Sequence, residues 1–490
     1  MKVLTAAQMR EVDRHTIELG IPGIILMENA AHAVVLEMVR VFGPLSLHRI
    51  VIYCGKGNNG GDGLAIARLL TVNHKPAALH VVLVQPESEF EGDAATNLKM
   101  LQVVGIERHQ QLSLDARMPT LVVDAVLGTG ISGPPRGSAL EAIRAINTQF
   151  PFAKVVAVDL PSGMLSDTSR TDHEFARADL TVTFTTPKPC HVLAPNCVNI
   201  GELVVVPIGS PVSLLVSSKL AMSEASDFAK LFAPRAGDAN KGVYGHVLVV
   251  GGAAGKSGAV RMAGLAALKM GAGLVTVATD AAELNPELMT HGLWDCMAAL
   301  PGKSVLAIGP GLGDSAEAAT LLVKLLASAT VPLVIDADAL NLLAGMEWRA
   351  SQAPAVMTPH PGEMGRLLGI STAEVQADRL GAVEKLAKTR NAVVVLKGQR
   401  TLIAAPDGRV WINPTGSPAM AKGGSGDVLT GLIAGLIAQH PQSIELAVCA
   451  AVYLHGLCGE LGAQARTEQC LLATDLLEYL PGAIRAVQQV

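Results

Sequence analysis

Two clusters of residues in this chain have the types and spacing for chemistry. The first begins with CGKGNNGGDG at 54–63. Gly55, Gly57 and Gly60 satisfy GxGxxG after a strand-like run and before the helical LAIARLL, the setting of a phosphate-binding turn. The same segment adds the side-chain oxygens of Asn58, Asn59 and Asp62. A turn built for pyrophosphate alone has no use for Asp62, because like charges repel. Two more strand-like runs end in polar or glycine-rich turns. VDA (123–125) leads into LGTGISGPPRG (127–137), and VDLPSG occupies 158–163. Ligands of open α/β sheets lie outside the carboxyl ends of strands. There Asn59, Asp124 and Ser162 supply hard oxygens suited to a cation. A single formal charge among the three suits a monovalent ion better than a divalent one. Asx turns and N-caps explain any one of these residues, but three coincident clusters at strand ends less well.

The second cluster is MAKGGSGDVLTG at 420–431. Gly424, Ser425 and Gly426 offer bare backbone amides at a helix start, with Asp427 in the first turn. Such amides stabilise charge on a transferring phosphoryl group, while Asp427 can take a proton from a hydroxyl. Plain helix capping is the simpler alternative. GGAAGKSGA at 251–259 is not a Walker A loop, because GxxxxGK[ST] needs glycine where the chain has Val250.

These residues need a scaffold, and the remaining sequence describes one. Strand-like runs at 49–54, 80–84, 121–126, 154–160, 179–184 and 202–208 alternate with helix-length segments, after a helical stretch over 1–40. A second series runs through 246–252, 273–279, 304–310, 332–338, 355–359, 392–398 and 401–405, closing with two helical segments after Gly424. Strands separated by helices imply parallel βαβ units. The serine-rich GSPVSLLVSSKLAMSEASD at 209–227 interrupts the alternation. The expected division is a domain over 1–210, a linker over 211–227 and a domain over 228–490, both domains α/β.

Composition agrees. Hydrophobic residues make up 50% of the chain and aromatics only 3%, with 49 glycines, which suits tight turns and Ala/Val/Leu cores. A net charge of −5 and the absence of a basic run argue against nucleic acid. Seven cysteines without CxxC spacing suggest reduced thiols and the cytoplasm. No membrane segment is expected, because the apolar stretch at 428–439 is too short to span a bilayer.

NNGGDG followed by VDAVLGTG and VDLPSG resembles the NAD(P)H-hydrate epimerase family over about residues 1–210. The resemblance implies a Rossmann-like three-layer fold and a potassium site from Asn59, Asp124 and Ser162. It places Asn58, Asn59, Gly60, Gly61 and Asp62 against the hydrate, with Gly128, Thr129, Gly130, Ile131, Ser132, Gly133, Pro134 and Asp159. Asp159 is the implied catalytic group, relaying protons as the ring opens and recloses. Eukaryotic relatives carry a lysine where this chain has Ser132 or Gly133, so a second acid/base group is not identified.

GGSGDVLTG resembles the motif of ribokinase-like kinases. Together with NKGVYGHVLVVGG (240–252), GPGLG (309–313), DADALN (336–341), TPHPGE (358–363) and LKG (396–398), it resembles their NAD(P)H-hydrate dehydratase branch over 230–490. That implies a ribokinase-like α/β domain in which the hydrate's hydroxyl is phosphorylated and phosphate, a better leaving group than hydroxide, departs. Ala259, Gly311, His360 and Asp427 would contact the hydrate, with Asp427 catalytic. Lys397, Gly398, Gln399, Arg400, Thr401 and Gly426 would hold ADP, the co-substrate, and Glu363 a magnesium ion. The whole reads as metabolite repair of hydrated NADH and NADPH. The first half epimerises R and S hydrates, and the second dehydrates the S-hydrate at the expense of ADP, giving AMP and phosphate. A homo-oligomer is expected. A ribokinase-like small-molecule kinase fused to a nucleotide-binding domain is the alternative, and a non-catalytic N-terminal binding domain a further one.

Overall fold

Runs of Val, Ile and Leu that are buried on both faces form parallel strands once helices cover the sheet. In the computed structural model, which describes residues 1–110, 118–215, 218–281 and 284–490, such strands build two sheets. The chain divides into units Met1–Ser218 and Lys219–Val490.

The first unit contains strands β1 (Arg49–Cys54), β2 (Ala78–Leu83), β3 (Arg108–His109), β4 (Leu121–Ala125), β5 (Lys154–Val158), β6 (Leu180–Phe184) and β7 (Glu202–Val206). They pair in the order β3-β2-β1-β4-β5-β6-β7, all parallel. Its helices are α1 (Ala6–Glu18), α2 (Gly23–Phe42), α3 (Asn58–Leu69), α4 (Gly92–Val103), α5 (Gly137–Thr148) and α6 (Pro189–Val192). Alternate strand residues face opposite layers. Ile50, Ile52, Val123 and Val156 pack with α2, α3 and α4, while Val51, Tyr53, Val122 and Val155 pack with α5. This is the three-layer Rossmann-like arrangement, with its crossover reversing between β1 and β4. The helical stretch expected over 1–40 is broken between α1 and α2, where Gly20 adopts φ +106° and Pro22 precedes the second helix.

The second unit contains β8 (Leu220–Met222), β9 (His246–Val250), β10 (Leu274–Ala278), β11 (Met289–His291), β12 (Val305–Ile308), β13 (Leu333–Ile335), β14 (Ala355–Met357), β15 (Val393–Leu396), β16 (Leu402–Ala404) and β17 (Val410–Ile412). The order is β11-β10-β9-β12-β13-β14-β15-β16-β17-β8. Only β16 runs antiparallel to its neighbours among the described strands. Helices are α7 (Ser257–Lys269), α8 (Ala316–Ser328), α9 (Asp338–Leu343), α10 (Pro361–Leu368), α11 (Thr372–Ala377), α12 (Arg379–Arg390), α13 (Ser425–Gln439), α14 (Ile444–Arg466) and α15 (Leu476–Gln488).

Three readings change. The stretch at 211–227, expected as a linker, carries β8, which pairs with β17; residues 216 and 217 are outside the described residues. Three helices, not two, follow Gly424. The long apolar helix is α14: taken singly it is the one described helix long and apolar enough to cross a membrane, and 67% of that stretch is buried inside its unit. The 428–439 stretch forms α13, buried from Val428 to Ala438. Gly431 and Gly435 let α13 approach α7, since a Cβ on Gly431 would lie 2.1 Å from the Ala263 carbonyl.

Candidate functional site

The first unit gathers its polar residues where β1, β4, β5 and β6 end. The glycine-rich segment after β1 is not an extended loop: α3 already begins at Asn58, capped by Gly57. Close backbone packing forces this geometry. A Cβ on Gly60 would sit 1.6 Å from the Gly55 carbonyl oxygen, and one on Gly55 would sit 2.0 Å from that of Val126. Asn59 and Asp62 are thereby carried into the sheet edge, each 8% exposed.

Asp124, at the end of β4, is fully buried. Its carboxylate accepts hydrogen bonds from the Ser162 amide at 2.8 Å and the Ser162 hydroxyl at 2.5 Å. Burial pushes its pKa up to about 6 against the pull of those bonds. Ser162 Oγ also accepts from the Leu127 amide at 2.8 Å, and next door Gly128 lies against Asn59. Both polar atoms of the Asn59 amide are buried without a hydrogen-bond partner. Asp124 and Ser162 are thus directly joined, and Asn59 faces the adjoining turn with an unused oxygen. Thr129–Pro134 form an irregular stretch in which Gly130, Ser132 and Pro134 are exposed, and no hydrogen bond among the described residues ties them to this cluster.

Asp159 follows β5 in the left-handed region, φ +66°. Its Oδ1 accepts from Lys188 Nζ at 2.6 Å and from Thr183 Oγ1 at 2.9 Å. Lys188 is only 2% exposed and also donates to Thr183 Oγ1 and to the Phe184 carbonyl. Burial raises the Asp159 pKa, but the charge and hydrogen bond of Lys188 outweigh it, so the carboxyl lies below its usual range. Asp62 has no such partner. Burial, then the nearby Asp159 and Asp13, drive its pKa well up. Lys188, Thr183 and Asp13 escaped the sequence reading. Lys188 sits in TTPKPC, and nothing about a lone lysine before proline announces burial.

In the second unit the loops after β9 and β12 interlock. The Gly252 and Ala253 amides donate to the carbonyls of Pro310 and Gly311 at 2.9 and 2.8 Å. Gly311 has φ +62°, and a Cβ there would lie 3.3 Å from that of Ala259, so these two expected substrate contacts are neighbours. Gly424 takes φ +96° as N-cap of α13, which places the Ser425 and Gly426 amides and Asp427 in its first turn. A Cβ on Gly426 would be 3.3 Å from Lys397 Nζ and 3.8 Å from Asp336 Oδ2.

Asp336 is the hub the sequence reading missed. Though 1% exposed, it accepts from Lys397 Nζ at 2.8 Å and from the hydroxyls of Thr358 and Thr430, both at 2.7 Å. The signal was in DADALN, at the end of β13, but no partner could be named from sequence. Asp427 lacks a counter-charge of that kind. Burial, then Asp336, lift its pKa to about 6 despite Lys397. His360 and Glu363 cap α10 reciprocally: the Gly362 amide donates to His360 Nδ1 at 3.0 Å and the His360 amide to Glu363 Oε2 at 2.7 Å. Glu363 lies 3.9 Å from Lys397 Nζ. Among the described residues no group of three His, Cys, Asp or Glu could hold a metal ion. Gly398–Thr401 form the turn into β16, where Gly398 packs on the buried Arg379 and Thr401 Oγ1 donates to the Gly398 carbonyl at 2.8 Å. Gln399 is exposed, and Arg400, with φ +54°, donates to the Pro414 carbonyl.

Comparison with known proteins follows the same division. Residues 247–482 match the family model described as NAD(P)H-hydrate dehydratase, and residues 23–190 that of the YjeF-related protein N-terminus. A bifunctional NAD(P)H-hydrate repair enzyme of Moorella thermoacetica is 41% identical, over 100% of this chain and 98% of that protein. Among solved structures, an ADP/ATP-dependent NAD(P)H-hydrate dehydratase from Bacillus subtilis co-crystallised with ATP and Mg2+ is similar at 34% identity and TM-score 0.51, covering 55% of this chain and 98% of that one. A ribokinase-like superfamily protein of Enterococcus faecalis has the same TM-score of 0.51 at 31% identity, covering 56% of this chain and 98% of that one. With both halves matched and similarity running the full length, the chain belongs to the family of bifunctional NAD(P)H-hydrate repair enzymes.

Proposed function

We propose that the first unit interconverts the R and S hydrates of NADH and NADPH, and that the second dehydrates the S-hydrate using ADP. The observation that carries the second half is the meeting of Asp427, the Gly426 amide and Lys397 at the start of α13. Asp427 takes the proton of the hydrate's hydroxyl, whose oxygen attacks the terminal phosphoryl group of ADP and releases AMP. The amides of Ser425 and Gly426 and the Lys397 ammonium stabilise the charge on that phosphoryl group. Phosphate then departs with its bonding electrons, and the neighbouring ring carbon gives up a proton to restore the dihydropyridine. Ala259, Gly311 and His360 border the hydrate, and the Lys397–Thr401 turn holds the nucleotide. Magnesium would ride on the nucleotide's phosphates and water, its usual ligands, with Glu363 as one further oxygen.

In the first unit Asp159 is the proton acceptor, with Asn58–Asp62 and Gly128–Pro134 around the substrate. The unpartnered Asn59 amide beside the joined Asp124 and Ser162 fits a potassium ion. That ion would offset the charge of Asp124 next to the substrate's phosphates. Seven free cysteines are in keeping with the cytoplasm as compartment, and a homo-oligomer remains the expected assembly.

The test is to incubate the protein with mixed hydrate epimers, with and without ADP or ATP, and follow the absorbance of reduced nicotinamide. Full recovery with nucleotide, and epimer exchange without it, is expected. A stable phosphorylated product without recovered absorbance would favour a small-molecule kinase instead.

A further inference from the structure

Epimerisation of a nicotinamide hydrate moves two protons. The carbon that inverts carries the hydroxyl and is bonded to the ring nitrogen, so it opens to an aldehyde only when the hydroxyl loses a proton and the nitrogen gains one. Asp159 accounts for the first. The carboxyls near it differ sharply in their partners. Asp159 receives Lys188 Nζ at 2.6 Å and Thr183 Oγ1 at 2.9 Å. Asp62, in the second turn of α3 and 8% exposed, receives no hydrogen bond from any described residue. Asp13 of α1, from the same surroundings, has a buried Oδ1 without a partner.

We propose that the reaction is run by an unequal pair of carboxyls, with Asp159, bound by the buried Lys188 ammonium, as the base, and Asp62, which no described donor reaches, as the acid. The proposal rests on the epimerase reading of this unit and supplies its second proton-transfer group. Asp159 takes the hydroxyl proton, the carbon–oxygen bond becomes double, and the carbon–nitrogen bond breaks with its electron pair going to nitrogen. Asp62 gives nitrogen its proton. After rotation of the aldehyde the nitrogen lone pair attacks the other face, Asp159 returns its proton to oxygen, and Asp62 recovers its own from nitrogen. No oxidant or further reactant is needed.

Environments that push two carboxyls apart define acid and base. Desolvation without a donor favours the neutral form, whereas a hydrogen-bonded ammonium favours the charged one. Lys188 is a positioning residue, because its contacts with Asp159, Thr183 and the Phe184 carbonyl occupy its donors. The charged and titratable groups facing the pair are Asp13 from α1, Lys188, and His191 from α6. The last is buried and held neutral, its pKa pushed down to about 3 by burial, then by Lys188. Asp13 is the rival acid. Asp62 is preferred because it lies on the glycine-rich N-terminal part of α3, about one helical turn from the open Asn59 amide.

The experiment measures epimer exchange against pH in the full chain, above the spontaneous rate. Wild type should give a bell, rising as Asp159 ionises and falling as Asp62 loses its proton. Asp62→Asn, which keeps the shape, should lose about a hundredfold or more and the alkaline limb with it. Lys188→Met should move the acidic limb to higher pH by about one unit or more. The ADP-dependent step in the same samples reports intact chain, and should Lys188→Met not fold, the near-isosteric Asp62→Asn still decides. A normal bell for Asp62→Asn, an unmoved acidic limb in folded Lys188→Met, or loss of the alkaline limb in Asp13→Asn instead would each overturn the pair while leaving the epimerase reading intact. A wild-type chain without epimer exchange would overturn both.

Discussion

Both units hold a largely buried aspartate–lysine pair near the carboxyl ends of parallel strands, yet the two pairs are arranged differently. In the first unit Lys188 binds Asp159 itself, the group expected to react, at 2.6 Å. In the second, Lys397 binds Asp336 at 2.8 Å, while the expected base, Asp427, stands apart and is lifted to about 6. A buried ion pair is weak support for stability, because desolvation offsets the attraction. What it does here is fix a charge in place. In the proposed reactions, one pair would present a carboxylate to the substrate and the other an ammonium to a phosphoryl group.

The largest effect that could break this comparison is expected from Asp427→Asn. Removing the base should cost ADP-dependent dehydration about a hundredfold or more while epimer exchange continues. Near-normal recovery of reduced-nicotinamide absorbance in this variant would remove Asp427 from the base role.

Asp124→Ala probes the other side. Epimer exchange should fall ten- to hundredfold, roughly the range seen when support for a bound ion is lost, with the ADP-dependent step unchanged. Replacing potassium by a bulky organic cation should reproduce that loss in the wild type. An exchange rate indifferent to both changes would detach the ion from Asn59, Asp124 and Ser162.

Asp336→Asn sharpens the contrast between the pairs. It keeps the size and one acceptor oxygen for a threonine hydroxyl but takes the counter-charge from Lys397, so the KM for ADP should rise about tenfold, equivalent to roughly 1.4 kcal/mol. Titration of the initial rate with ADP measures it. An unchanged KM would mean that Lys397 needs no anchor.

The smallest effect is one of pH. Burial and Asp336 lift Asp427 to about 6, so as the proposed base it would act above that value and be lost by protonation below it. The kcat/KM of dehydration should therefore drop about fourfold at pH 5.5 from its plateau, as a single titration requires. Asp159, held below the usual carboxylate range, should keep its ionised form there. A common acidic limb for the two activities would erase the difference between the units.

Much of the fold was legible in the chain. Runs such as RIVIYC and HVLVV are apolar throughout because parallel strands are covered on both faces, and their spacing by helix-length segments left little choice of architecture. The strands that escaped, β3, β8, β11 and β17, are only two or three residues long, too short for a period to show. The start of α3 at Asn58 was missed for another reason. Glycines that read as a loop are there to let backbones touch, as Gly60 does with Gly55.

The sequence by itself determined the covalent order of strands and glycine-rich turns, and with it which backbone amides and which of Asn59, Asp124, Asp159, Ser162 and Asp427 reach the sheet edges. That information is local: a turn type, a helix start, a strand's period. Only the tertiary structure decided the charge state of those groups. Lys188 is 29 residues from Asp159, and Lys397 is 61 from Asp336. Whether such residues meet depends on strand order and on burial, and electrostatic energy in a poorly hydrated interior depends on both distance and desolvation. Neither quantity is written in the spacing along the chain.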